Sequence, residues 1–339
     1  MSNAGRIARL DPSSGLPGGE VIFDCEGLEL TAGTDFEVHF GGFNARLSSA
    51  SSKRVIALVP DGLEGEEVVA EFILDGKSSE SEIFTIASML ADDLHPVASP
   101  AFDMRAGALY VTRSGGRGQE LPVTIFRIDE AGELEDYSGD VANPTGLAFG
   151  PDGQLYVSSR FEGAVYRVNE LSATPFAEGL GVATGLAFND TGDLFVGDRS
   201  GTIFRVNAIG EARPFAEVEP SVAAFHLAFG PDGALYVTGP TVSSNDNIWR
   251  VDTQGRVEKF CGGFVRPQGL AFDREGNLYL AACYRARRGI WRITPDAADI
   301  SLAVTGNNLV GLCFGPNGEM VVATTDAVYS LRLGIYGTL

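Results

Sequence analysis

The feature that most constrains this chain is an internal repeat of roughly 40 residues that runs through everything after residue 88. Each copy contains an apolar strand that ends in phenylalanine, a glycine-containing turn, a strand with a central aromatic residue and a strand that ends in an aromatic–arginine pair. The sixth copy keeps this order, but its second strand, Met320-Val321-Val322, has no central aromatic residue and its third strand lacks the arginine. The phenylalanines that end the first strands are Phe102, Phe149, Phe188, Phe229, Phe272 and Phe314, at spacings of 47, 39, 41, 43 and 42 residues.

Six copies of a four-stranded unit predict a six-bladed β-propeller, because such units bury their faces only by stacking around a common axis. The outer strand of each blade precedes the phenylalanine of the following copy. The chain ends soon after the third strand of blade six, so this blade needs its outer strand from elsewhere. Residues 87–92 occupy that position ahead of Phe102, and we expect them to close the ring and remove its open strand edges.

The part before the repeat consists of short alternating strands separated by glycine turns such as Gly41-Gly42 and Asp75-Gly76. Strands of this length and spacing predict an immunoglobulin-like β-sandwich. The predicted fold is therefore all-β, with a sandwich in residues 1–87 and a six-bladed β-propeller in residues 88–339.

Motifs in the first segment resemble those of IPT/TIG domains. They are the opening run 11–19, Val21-Ile22-Phe23, the run 36–42 and the strand Ile56-Ala57-Leu58 with its proline stop at Pro60. The resemblance implies a spacer or protein-contact module. One subset of that family binds DNA, but no cluster of Arg or Lys offsets the carboxylates of this segment.

The repeats are similar to those of NHL-repeat propellers and of SMP-30/gluconolactonase propellers. The second resemblance implies a divalent metal held by Glu, Asn and Asp where the inner strands begin. The matching positions carry Ala98, Phe225 and Gln268, so this chain lacks all three metal ligands of that family. Hard cations need several oxygen donors, usually with carboxylates among them. The sequence therefore predicts no metal and no cofactor; a divalent cation such as calcium belongs only to a lactonase alternative.

Candidate binding residues converge on the channel mouth, where inner strands begin and ligand sites of propellers collect. Arginines that follow neighbouring second strands on one rim could attract a carboxylate or a phosphate. The alternatives are salt bridges to Asp198, Asp246 and neighbouring carboxylates, and a His226 that is simply hydrogen-bonded inside a packed strand. No catalytic residue is identified. The candidates are Arg113, Thr145, Arg160, Thr184, Arg199, His226, Gln268, Tyr284 and Arg285.

The net charge of −20 makes nucleic acid and anionic lipid poor partners. No stretch approaches the roughly 20 apolar residues that span a bilayer, and the four cysteines show no CxxC spacing. Ser2-Asn3-Ala4 resembles a cloning scar. We expect a cytoplasmic location if the N-terminus is native, and a periplasmic or secreted one if a signal peptide was removed.

Together these features favour a non-catalytic propeller that binds a small anionic molecule or another protein and is carried on an immunoglobulin-like spacer. One alternative is a metal-dependent hydrolase of sugar lactones or esters with a degenerate or relocated site. Another is a purely architectural role.

Overall fold

The computed structural model of the chain describes residues 5–31, 33–63, 67–115, 119 and 121–338. Every regular element in this part of the chain is a β-strand, so the all-β prediction is confirmed. Within the same residues, no helix has the length and hydropathy needed to cross a bilayer. The segment Ser2-Asn3-Ala4 lies outside the described residues.

Ten strands form two packed sheets at the N-terminal end. The first sheet has the order β1-β3-β7-β6, and the second runs β2-β10-β8-β4-β5, with β9 paired to β8. Phe23 on β3 packs against Phe40 and Phe72 of the facing sheet at ring-centroid distances of 5.7 and 5.3 Å. Alternate residues of β3 are buried, as expected for a strand with one face in a core. The strands are β1 (Arg6–Asp11), β2 (Ser14–Gly15), β3 (Glu20–Glu26), β4 (Phe36–Phe40), β5 (Phe43–Asn44), β6 (Leu47–Ala50), β7 (Arg54–Leu58), β8 (Glu67–Leu74), β9 (Lys77–Ser78) and β10 (Glu82–Ile86).

Within the described residues, the remaining strands group into units of four antiparallel strands, which are numbered here as blades 1 to 6 in chain order of their inner strands. Blades 1 to 3 contain β12 (Ala101–Asp103), β13 (Ala108–Thr112), β14 (Ile125–Ile128), β15 (Leu134–Ser138), β16 (Pro144–Phe149), β17 (Leu155–Ser159), β18 (Ala164–Asn169), β19 (Ser172–Ala177), β20 (Ala183–Phe188), β21 (Leu194–Asp198), β22 (Thr202–Val206) and β23 (Ala212–Glu217). Blades 4 and 5 contain β24 (His226–Phe229), β25 (Leu235–Thr238), β26 (Asp246–Val251), β27 (Val257–Phe264), β28 (Leu270–Phe272), β29 (Leu278–Tyr284), β30 (Arg287–Ile293) and β31 (Ile300–Thr305). Blade 6 contains β32 (Leu309–Phe314), β33 (Glu319–Thr324), β34 (Val328–Arg332) and β11 (Ser88–Ala91).

The outer strand of blade 6 comes from the start of the repeat region. β11 pairs antiparallel with β34, with Ser88 opposite Ser330 and Met89 opposite Tyr329. Only Ala87 separates this strand from β10 of the sandwich. One segment therefore connects the sandwich directly to the last blade.

Repeated aromatic residues fill the spaces between blades. Tyr156 on β17 contacts Phe188, at the end of the inner strand of the next blade, edge-on at 4.9 Å between ring centroids. The same contact joins Tyr110 to Phe149 and Tyr236 to Phe272. Edge-to-face pairs add stability beyond the area they bury, which gives the periodic phenylalanines of the sequence a structural role.

The sandwich is joined to blade 5 through main-chain hydrogen bonds. β2 lies between β10 of the sandwich and β31, the outer strand of blade 5. Leu16 donates its N–H to the Thr305 carbonyl over 2.9 Å, and the Ser14 hydroxyl donates to the Ala303 carbonyl over 2.6 Å. A two-residue strand is too short to be read from an alternating pattern, so the sequence did not predict this joint.

Candidate functional site

The face of the propeller at which the inner strands begin is called the upper face below. Three of the predicted mouth residues, Thr145, Thr184 and His226, are buried there, with 1%, 1% and 4% of their surface exposed. The Thr184 hydroxyl donates to the Gly197 carbonyl over 2.9 Å and accepts the Phe225 N–H over 3.1 Å. These side chains belong to the packed interior and not to an open mouth.

Close approach of the inner strands explains this burial. A Cβ added to Gly146 would lie 2.4 Å from the Thr184 carbonyl oxygen, and one added to Gly185 would lie 2.5 Å from that of Phe225. Because glycine has no Cβ, neighbouring strands come closer here than other residues allow. Little room is left for side chains at this level of the axis.

His226 has an electrostatic environment that favours its neutral form. Burial lowers the pKa of its imidazole from the ordinary value of 6.5 to about 4. Its Nε2 atom has no hydrogen-bond partner among the described residues. The imidazole is therefore uncharged at neutral pH, so it does not contribute a cation to an anion site.

The predicted arginines reach the upper face but differ in their partners. Arg113 lies 3.6 Å from the Asp93 carboxylate, whereas Arg160 and Arg199 donate to the main-chain carbonyls of Gly115 and Val222 over 3.4 and 2.8 Å. Burial and the nearby positive charge of Arg199 lower the pKa of Arg160. The two guanidinium groups therefore lie close enough to repel each other, and within the described chain neither forms an ion pair with a carboxylate.

Two aspartates near this rim accept hydrogen bonds from loop residues. Asp198 accepts the Val182 N–H over 2.7 Å and the Ser200 hydroxyl. Asp246 accepts the main-chain N–H and the hydroxyl of Thr241 over 3.1 and 2.6 Å. Among the described residues, neither of these two carboxylates forms an ion pair with a rim arginine, whereas Arg113 pairs with Asp93.

Gln268 lines a pocket of about 370 Å³ that lies between blades 5 and 6 on the same face. Arg266, on the loop that enters β28, and Arg288, on β30, line this pocket, and neither forms an ion pair among the described residues. Asn308 and Thr325 from blade 6 add an amide and a hydroxyl. The polar lining also includes the Cys283 thiol, and the rest of the wall is Val265, Ala282, Gly289, Gly306 and Leu309.

Tyr284 and Arg285 form the tip of the β29–β30 hairpin beside this pocket. The Arg285 guanidinium lies 5.1 Å from the centroid of the Tyr284 ring, and that ring is edge-on to Trp291 at 5.1 Å. The nine predicted residues therefore separate into three buried ones, Arg113 in an ion pair with Asp93, a pair of arginines on blades 2 and 3, and a group of three around blade 5.

The sequence prediction missed Arg266, Arg288, Asn308 and Thr325 as site residues. Arg266 stands two residues before Gln268, and Arg288 belongs to the arginine-rich loop of blade 5. Asn308 and Thr325 lie 40 and 57 positions beyond Gln268. Their convergence follows from ring closure around the axis, which spacing alone does not show.

The chemistry of the pocket is that of an oxyanion site. Guanidinium groups present fixed donors that match the oxygens of carboxylate or phosphate, and the Asn308 amide adds further donors. The Thr325 hydroxyl donates instead to the Asp326 carboxylate over 3.0 Å. No group of three His, Cys, Asp or Glu side chains suited to a metal ion occurs among the residues that the structure describes. The neutral donors at the strand entrances do not fit the metal site of the gluconolactonase-like enzymes.

Comparisons with known proteins agree with this fold. No protein-family model matches the chain. A gluconolactonase from Zymomonas mobilis is 23% identical over 273 residues, which cover 68% of this chain and 71% of that protein. The structure of a Xanthomonas campestris gluconolactonase matches with a TM-score of 0.60 and 15% identity over 74% of this chain and 89% of the other.

A third match extends over both parts of the molecule. The structure of an auxiliary nutrient binding protein from Bacteroides thetaiotaomicron matches with a TM-score of 0.55 and 15% identity, covering 97% of each chain. Identities this low establish the fold and not the activity. The chain therefore has a gluconolactonase-like β-propeller fold.

Proposed function

We propose that this chain is a non-catalytic binding protein whose pocket between blades 5 and 6 holds a small carboxylate or phosphate ligand. In this proposal the propeller is six-bladed and the sandwich is an IPT/TIG-like spacer. The observation that carries it is the pair of arginines, Arg266 and Arg288, at a pocket of about 370 Å³ without a carboxylate partner in the described chain.

Charge distribution supports an anionic ligand. The chain carries 45 acidic and 25 basic residues, and Arg266 and Arg288 bring two positive charges to one pocket without an ion-pair partner among the described residues. Two guanidinium contacts to one oxyanion, each contributing about 2 kcal/mol, correspond to a Kd of roughly 1 mM. The amide donors of Asn308 would strengthen binding beyond that value.

The likeness to an auxiliary nutrient binding protein over the full length of both chains supports a binding role. It covers 97% of this chain, whereas the match to the Xanthomonas gluconolactonase covers 74%. Fold likeness at this identity is an analogy, so the arginine pair remains the main argument.

Calorimetric titration with sodium gluconate and inorganic phosphate tests this proposal. Replacing Arg266 and Arg288 together by Gln should weaken binding of the better ligand at least about tenfold, since both charged contacts are lost. Replacing Arg105 and Arg274 by Gln is the matched control, because it changes the net charge equally on the opposite face. Equal affinities in the two double variants, or no binding by the unmodified protein, would refute the proposal.

Lactone hydrolysis is the second candidate, and the likeness to two gluconolactonases favours it. The donor set at the inner-strand entrances argues against it, because Ala98, Phe225 and Gln268 supply no carboxylate. A pH-stat assay with glucono-δ-lactone, with calcium and with chelator, distinguishes the two functions. Turnover that calcium restores after chelation would establish the hydrolase and contradict a purely binding role.

A further inference from the structure

The hairpin that forms one wall of the pocket has an unfavourable turn. Arg285 and Ala286, its two central residues, have φ angles of 49° and 61°. Tyr284 and Arg287 pair across the turn, so this is a two-residue hairpin with both central residues left-handed. Such turns favour Asn-Gly or Gly-Gly, because other residues are strained at positive φ. The Arg-Ala turn therefore requires stabilising contacts from outside the hairpin.

The sandwich supplies such a contact. The Arg287 guanidinium donates to the Asp11 carboxylate over 2.8 Å, and it also donates to the Asp11 main-chain carbonyl. Only 18% of the Arg287 side chain and 26% of the Asp11 side chain are exposed, so this ion pair is screened less than a surface pair. It joins the last residue of β1 to the first residue of β30.

The strand pairing of the hairpin places the Arg287 ion pair next to residues that line the pocket. Cys283 lies opposite Arg288, next to the pair formed by Tyr284 and Arg287, and both Cys283 and Arg288 line the pocket. A hairpin anchored at Arg287 therefore holds the Arg288 backbone in place. An unanchored hairpin is free to leave its strained turn and displace Arg288.

A second part of the same segment lies behind the pocket. Leu16 is 2% exposed and belongs to the hydrophobic cluster that contains Leu309, a residue of the pocket wall. A Cβ added to Gly306 would lie 3.4 Å from Leu16 and 3.3 Å from Leu309, so these side chains enclose that glycine. The sandwich therefore supports two walls of the pocket through residues 11 to 16.

We propose that the segment Asp11–Leu16 of the sandwich is part of the ligand site, with Asp11 as a positioning residue that acts on Arg288 through Arg287. The inference rests on the proposed function, since the ligand of Arg288 is the anion proposed above. Docking of the sandwich and binding of the anion are then linked, and each strengthens the other by the same factor. Removal of the sandwich from blade 5 would release the ligand.

The experiment compares full-length variants by hydrogen–deuterium exchange and by titration with inorganic phosphate. Asp11→Asn keeps the shape of the side chain and removes its charge. We expect exchange of the amides in residues 283–289 to increase about tenfold and phosphate affinity to fall at least roughly fivefold. Asp24→Asn is the matched control: it removes another sandwich carboxylate, which is paired with Arg54 over 3.1 Å, and should change neither quantity.

Rescue separates positioning from general damage to the fold. Ala286→Gly relieves the strained turn, so adding it to Asp11→Asn should restore both protection and affinity. Unchanged exchange and affinity in Asp11→Asn, or failure of Ala286→Gly to restore them, would overturn the inference. If the unmodified protein binds no phosphate, the proposed function fails at that point. Amide exchange of residues 283–289 is then the only test. Loss of protection in Asp11→Asn and its recovery with Ala286→Gly support positioning by Asp11, and any other result refutes it.

Discussion

At the scale of single residues, most polar side chains in the propeller have partners that the repeat supplies. The Asp232 carboxylate, in the turn before β25, pairs with the guanidinium of Arg250 over 2.8 Å, and the corresponding Arg205 pairs with Asp193. These pairs follow the repeat period, so their structural role could be predicted from the sequence. Among the described residues, four buried polar atoms have no hydrogen-bond partner: Asn143 Oδ1, Thr145 Oγ1, His226 Nε2 and Trp291 Nε1. Of these, only His226 belongs to a side chain that titrates near neutral pH.

Protonation of His226 should make folding dependent on pH. Its folded pKa of about 4 lies below the ordinary value of 6.5, so the unfolded chain binds a proton more readily between these values. Stability is therefore full above pH 6.5 and falls as the pH drops towards 4, by about 3 kcal/mol in all. Urea unfolding of the unmodified protein and of His226→Leu at a series of pH values measures this difference. Parallel pH profiles for the two proteins would show that His226 does not account for the change.

At the scale of strands, glycines allow the inner strands of neighbouring blades to approach each other closely. A Cβ added to Gly146 would lie 2.4 Å from the Thr184 carbonyl oxygen. One added to Gly269 would lie 2.4 Å from the Gly311 Cα atom. Main chain cannot move away from a new methyl group as easily as a flexible side chain can. The contact therefore requires glycine for its size and not for its dihedral angles.

Replacing Gly146 by Ala should destabilise the propeller by roughly 3 kcal/mol, because the new methyl group overlaps the Thr184 carbonyl. Gly132→Ala is the control: an added Cβ meets nothing within 4 Å there, and its φ of 84° costs about 1 kcal/mol. Equilibrium unfolding in urea gives both values. A smaller loss for Gly146→Ala than for Gly132→Ala would contradict the close packing of the inner strands.

Strands and their order were more predictable than their contacts. Runs such as Leu155-Tyr156-Val157 alternate with turns at a constant period, and local propensity is sufficient to identify them as strands. The joint formed by Ser14–Gly15 was not predictable, since two residues carry no periodicity. Burial of Thr145 was missed for a similar reason: its sequence neighbours do not show how closely the next blade approaches.

At the scale of the whole molecule, several arginines of the upper face have no ion-pair partner among the described residues. Arg205 and Arg250 pair with turn carboxylates away from the upper face, whereas the described chain gives Arg199, Arg266 and Arg288 no such partner. An arginine-rich rim was predicted from the sequence. The pocket itself was not, because it joins loops from two blades with the support of a sandwich segment about 270 residues away.

An anomalous difference map from a crystal soaked in sodium selenate would test the central claim most directly, because selenate resembles an oxyanion ligand and its selenium can be located unambiguously. The account predicts a selenium peak in the pocket between blades 5 and 6, within hydrogen-bonding distance of Arg266 and Arg288. Selenium peaks elsewhere on the molecule, with none in this pocket at full soaking concentration, would contradict it.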